Sequence, residues 1–110
     1  MSWEIIYFND ALFDWIDALP VSIRASYARI TERMLVFGPN LGMPYTRAMG
    51  DGLFEIRVHG REGIARIFYC SLIGRKIVML HGIVKKTEKT PARDLDIAKY
   101  RMKVIKRENT

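Results

Sequence analysis

The chain has 110 residues, 49% of them hydrophobic and 27% charged, with a mean hydropathy of -0.04; this composition suits one compact domain with its own core and excludes a disordered segment. The formal net charge is +6 and the pI near 9.7, a balance that suits a polyanionic partner. No apolar run approaches the roughly 18–20 residues of a membrane-spanning helix, and the start MSWEIIYFNDALFDW carries acids and no basic segment, unlike a secretion signal.

The excess charge is one-sided. Residues 1–53 hold four Arg, no Lys and six acids, net −2, whereas residues 54–110 hold fourteen basic and six acidic residues, net +8. Such asymmetry marks either a binding face or simply a well-solvated second half. The lone cysteine, Cys70, cannot form an internal disulfide or a cysteine zinc site, so a reducing cytoplasm is the expected compartment.

In chain order, residues 3–8 are β-branched and aromatic and predict a short strand. Asn9 or Asp10 can cap a helix over 11–19, with Leu12, Trp15, Ile16 and Leu19 as its apolar stripe. Ser22 to Phe37 reads as a longer helix carrying Ile23, Tyr27, Ile30, Met34 and Phe37 at steps of three or four. Arg24, Arg29 and Arg33 lie largely off that stripe. Gly38-Pro39-Asn40 stops it. A short strand around Tyr45–Met49 can pair with Leu53–His59 through the Asp51-Gly52 turn. Strands at Ile64–Ser71 and Lys76–Val84 follow, joined by Gly60–Gly63 and Ile73–Arg75, which implies an antiparallel meander. Thr90 as cap and Pro91 at the first helical position predict a last helix with Leu95, Ala98, Met102 and Ile105 on its apolar side. The expected class is α+β: a twisted, mainly antiparallel sheet with two N-terminal helices and one C-terminal helix.

Alternation assigns faces. Phe54, Ile56 and Val58 share one side of their strand, and Glu55, Arg57 and His59 the other. Arg66 goes with Ile64, Phe68 and Cys70, and Tyr69 with Ala65 and Ile67, so Arg66 and Tyr69 should diverge. By the same counting His81 goes with Met79, Ile83 and Lys85. A face presenting Arg57, Arg66, His81 and Lys85 suits cleavage of RNA by its own 2′-hydroxyl. That reaction needs proton transfer, which His can supply near neutral pH, and cations for the charge developing on phosphorus. Each residue also has a purely structural explanation. Glu55 and Arg57 can be an ion-paired patch, Arg66 a buried partner of Glu55, and His81 a satisfied, half-buried ring. Tyr69 and Cys70 can be core, and Lys85, Lys86 and Lys89 solvated charge. With two His and no HxxH or CxxC spacing, no metal site is expected, and no cofactor-binding fingerprint is present.

The segments Leu53-Phe54-Glu55-Ile56-Arg57, Arg66 to Tyr69, Leu80-His81-Gly82-Ile83-Val84-Lys85-Lys86, Thr90-Pro91, and Ala98 with Arg101 resemble the RelE/ParE toxin superfamily, in its HigB-like, phage-derived branch. The resemblance covers the whole chain in element order, with its specific motifs in the second half. It implies a RelE-like fold and the toxin of a type II toxin–antitoxin pair, a ribosome-dependent mRNA endoribonuclease that inhibits translation without a cofactor. The implied partners are mRNA, the ribosome and a cognate antitoxin, often with a helix-turn-helix domain, through which alone operator DNA would be met. The catalytic candidates are Arg57, Arg66, His81 and Lys85, with Arg61, Tyr69, Lys86 and Lys89 as RNA-binding candidates. Gly82-Ile83 departs from the family by standing where many relatives have an aromatic residue, which bears on base stacking. ParE-like relatives are non-enzymatic gyrase inhibitors, so a protein- or DNA-binding inhibitor is the alternative, as is a basic interaction module without toxicity.

Overall fold

The computed structural model describes residues 2–85 and 89–109. Its elements in order are β1 (Glu4–Tyr7), α1 (Asp10–Asp17), α2 (Val21–Phe37), β2 (Thr46–Gly50), β3 (Leu53–Gly60), β4 (Gly63–Leu72), β5 (Lys76–Lys85) and α3 (Ala92–Glu108). The five strands form one sheet in the order β1-β5-β4-β3-β2. β2 to β5 pair antiparallel as the short turns require, and β1 joins β5 in parallel. The α+β class and the placement of the helices agree with the sequence.

Local chemistry sets the helix starts. Asn9 caps α1 by accepting the Leu12 N–H on its side-chain oxygen at 2.8 Å. α2 follows Pro20, which provides no side-chain cap. Glu62 in the β3–β4 turn supplies it. Its Oε1 accepts the Ser22 N–H at 2.8 Å, and its own N–H donates to Ser22 Oγ at 3.1 Å. Gly60 lets that turn come so close, because a Cβ there would lie 2.6 Å from Ser22 Oγ and 2.7 Å from Ile23 N. Hydrogen bonds to Ser22 hold the Glu62 carboxyl below its usual pKa, with Arg61 a lesser contributor.

Both sheet faces are covered. α1 and α2 pack Leu12, Ile16, Ile23, Ile30 and Met34 against Ile56, Val58, Ile67 and Met79. α3 packs Ala98 and Met102 on the other face, against Leu53, Phe68, Cys70, Val78 and Leu80. Each of the Leu, Ile, Val, Met and Phe side chains buried here contributes roughly 1.5–3 kcal/mol relative to exposure. The apolar stripes predicted for the three helices face these two clusters, except Phe37 at the end of α2, which is exposed.

Two expectations need correction. α3 begins at Ala92 with Pro91 as the capping position and no side-chain cap. Thr90 does not cap it; its Oγ1 instead lies 3.4 Å from Lys85 Nζ. The β4–β5 register also slips between Phe68 and Tyr69. Phe68 pairs with His81, whereas Tyr69 pairs with Met79, so Leu80 is an extra residue on β5. His81 therefore does not share a face with Met79. Met79 joins the core under α1 and α2, and His81 turns to the α3 side beside Phe68.

Candidate functional site

β3 and β4 bring Arg57 directly opposite Arg66, and Arg66 is paired on its other side with Ile83. The bulge at Leu80 then makes His81 a diagonal neighbour of Arg66, and Lys85 its diagonal neighbour in the other direction. Such neighbours are about 7–8 Å apart. The four catalytic candidates thus lie on one sheet face around Arg66. The bulge is held from α3, where Arg101 donates from Nη1 to the Leu80 carbonyl at 2.8 Å and lays its guanidinium over the Phe8 ring at 4.7 Å.

Glu55 is the anionic centre of this face. Its Oε2 is 3.0 Å from Arg47 Nε and 3.1 Å from Arg57 Nη1, and its Oε1 is 3.9 Å from Arg66 Nε. Glu55 and Arg66 are each 1% exposed. A buried charge is tolerated only when paired, and three guanidinium groups around one carboxylate meet that condition while leaving the site net positive. The structural explanation of Arg66 as a buried partner of Glu55 is therefore what the fold shows. The Arg66 guanidinium lies beneath the surface. The Arg47 and Arg57 side chains, 49% and 19% exposed, are the members that reach it.

His81 stacks on Phe68 with ring centroids 6.5 Å apart. Its Nε2 is 2.8 Å from Asp94 Oδ1 in the first turn of α3. In the neutral ring this contact puts the proton on Nε2 and leaves Nδ1 as the nitrogen that can accept one. Lys85 is 8% exposed. It lines a cleft of about 500 Å³ with Trp15, Gly82, Ile83, Lys89 and Asp94. Gly82 explains how Trp15 gets there, since a Cβ at that position would clash with Trp15 Cζ3. α1 thus contributes the Trp15 ring to this cleft.

The remaining candidates are scattered. Lys89 is exposed beside the same cleft, and Arg61 is exposed in the β3–β4 turn. Lys86 lies outside the described residues. Tyr69 is on the opposite face, fully buried, with its hydroxyl donating to the Pro39 carbonyl. Burial raises its pKa and keeps it a neutral phenol, so its ring belongs to the core and not to an RNA surface. Burial likewise raises the Cys70 thiol, against a weaker opposing pull from Lys106, which leaves it a poor nucleophile. Among the described residues no group of three His, Cys, Asp or Glu side chains converges, and no helix is long and apolar enough to cross a membrane.

Sequence reasoning missed Asp94 as the partner of His81 and Arg101 as the clamp on the bulge. In the sequence Arg101 stands only as a motif position. The spacing of 13 residues between His81 and Asp94 carries no local signal, because a strand and a helix start meet there only in three dimensions.

A family model described as phage derived protein Gp49-like (DUF891) matches residues 14–103, from α1 nearly to the end of α3. No curated protein matches the chain. With that match spanning most of its length, the chain belongs to the phage-derived Gp49-like family, a family of toxin–antitoxin-type toxins.

Proposed function

We propose that the 110 residues form one toxin unit of a type II toxin–antitoxin pair, in the HigB-like branch of the RelE/ParE superfamily, and that it cleaves mRNA on the ribosome. The observation that carries this is the single sheet face on which Arg57 and Lys85 flank Arg66 and the His81–Asp94 pair stands alongside. Family membership supports the toxin assignment.

The chemistry follows from these groups. The 2′-hydroxyl oxygen attacks the adjacent phosphorus, and the bond to the 5′-oxygen breaks to give a cyclic phosphate and a free 5′-hydroxyl. His81 serves one of the two proton transfers, and Asp94 orients the ring and stabilises its charged form. Arg57 and Lys85 hydrogen-bond the phosphate oxygens, where charge grows in the transition state. Arg66 acts through position: it holds Glu55 and adds positive potential beneath the phosphate. Lys89, Lys86 and Arg61 bind the RNA backbone. These side chains supply proton transfer and charge stabilisation without calling on a metal. Such a toxin works in the cytoplasm, where it meets the ribosome, and is silenced by an antitoxin that in this branch often carries a helix-turn-helix domain and brings the pair to operator DNA.

The test is induced expression in bacteria with mRNA 5′ ends mapped. Cuts within translated frames, lost in His81→Ala and Arg57→Ala, are expected. Growth arrest with intact mRNA and a DNA-damage response would instead assign a ParE-like gyrase inhibitor, and absence of arrest a binding module without toxicity.

A further inference from the structure

A second cationic site lies around the edge of β3. The pairing of β2 with β3 begins at Thr46 opposite Ile56. Beyond it the Tyr45 carbonyl accepts the Arg57 N–H at 2.8 Å, and the ladder goes no further toward His59. α2 packs across the same margin from the helical face. Between them is a cleft of about 240 Å³ lined by Ser26, Arg29, Arg33, Tyr45, Arg57 and His59, with no carboxylate among its lining residues.

Arg29 and Arg33 are four residues apart on α2 and so project from one face of it. Arg33 is steadied by the Tyr45 ring, 5.2 Å from its guanidinium carbon. Among the described residues no ion pair engages Arg29, Arg33 or His59. Like charges gathered on one cleft oppose one another, and an anion reverses the sign of that interaction. The cleft is smaller than the ~300–1,000 Å³ of a drug-sized ligand pocket, a size that suits a phosphate and part of a sugar. Arg57 borders this cleft and also reaches Glu55 at 3.1 Å, so one side chain connects the cleft to the proposed reactive face.

We propose that this cleft binds the sugar–phosphate backbone of single-stranded RNA that leaves the reactive phosphate and passes around the β3 edge, with Arg29 and Arg33 as backbone-binding residues. The inference rests on RNA being the substrate of the Arg66 face. It makes the RNA path longer than that face and adds a contribution from the first half of the chain, which is net acidic.

The test is equilibrium binding of a fluorescent twelve-nucleotide single-stranded RNA to the full chain over a range of KCl concentrations. Arg29→Ala/Arg33→Ala is compared with wild type, and both positions are exposed, so truncation leaves the core untouched. The expected result is binding at least about tenfold weaker at low salt, with the slope of log K against log salt smaller by about 1.4 for two lost phosphate contacts. Unchanged affinity and slope, or no RNA binding by wild type at low salt, would overturn the proposal. So would equal binding of an oligoglutamate peptide of the same charge, which would make the cleft a general cationic surface. Mapping of mRNA ends in cells separates the two claims. Wild-type cutting with unchanged RNA binding by the double variant sinks the cleft alone. Weakened binding without any cutting by wild type retains the cleft as an RNA site and sinks the nuclease.

Discussion

His81 Nε2 and Asp94 Oδ1 lie 2.8 Å apart and join the β5 bulge to the first turn of α3. If His81 transfers a proton, His81→Ala lowers the single-turnover cleavage rate by about 10²–10⁴-fold. Asp94→Asn retains a group able to touch the ring but no longer selects the same tautomer or stabilises the charged form, so it lowers the rate by a smaller factor. Asp94 also faces the positive end of α3, where a carboxylate is worth about 0.3–1 kcal/mol. Urea unfolding of Asp94→Asn should show no more than that loss, which separates its effect on rate from one on folding.

Arg66 is fully buried, and its removal takes away one of the three guanidinium groups around Glu55. Arg66→Ala is expected to cost about 3–5 kcal/mol, from the cavity left by a fully buried side chain together with the loss of one of the three cations around Glu55. Glu55→Leu with Arg66→Met removes both charges and should be distinctly more stable than Arg66→Ala in urea unfolding. A double variant no more stable than the single would show that the pair is not coupled. For the same reason loss of toxicity in Arg66→Ala cannot by itself assign Arg66 a catalytic role, whereas Arg57→Ala and His81→Ala can be read more directly.

Gly82 makes room for Trp15 above β5. Gly82→Ala drives a methyl into the indole and should destabilise by about 1–3 kcal/mol, as overpacking does. In Trp15→Ala the added methyl meets no ring, so the two substitutions should be clearly non-additive in a thermal double-mutant cycle. Additivity would mean that the strand does not need its glycine for Trp15.

Most of the sheet was legible in the sequence because its signals are local. The alternation of Glu55 and Arg57 against Ile56 and Val58 correctly assigned two faces, and the turns at Asp51-Gly52, Gly60–Gly63 and Ile73–Arg75 fixed the antiparallel order. His81 was assigned a face by parity, and parity fails across a bulge. The extra Leu80 is stabilised by Arg101, 21 residues away, and nothing in the strand's own sequence announces it. The parallel pairing of β1 with β5, the cleft at Arg29 and Arg33, and the Glu62 cap on α2 are likewise products of distant segments meeting. Helical periodicity marked Arg29 and Arg33 only as residues off the apolar stripe, and could not say that β3 runs out of partners beside them.

The Glu62 cap predicts a pH dependence. The carboxyl has a lower pKa in the folded chain than in the unfolded one. Its contribution is therefore fully present above the ordinary carboxylate pKa and is lost as pH falls through the depressed folded value. Glu62→Gln should lower the melting temperature near neutrality, with the gap to wild type closing on acidification. A gap that stays constant down to acidic pH would refute the charged cap.

The most direct test of the central claim uses purified protein and bacterial ribosomes programmed with a defined mRNA. Wild type should cut the mRNA on the ribosome and leave a 5′-hydroxyl on the downstream fragment. His81→Ala, checked by circular dichroism for an unchanged fold, should cut it at least about a hundredfold more slowly. Intact mRNA with the wild-type chain, or equal cleavage by folded His81→Ala, would contradict the account.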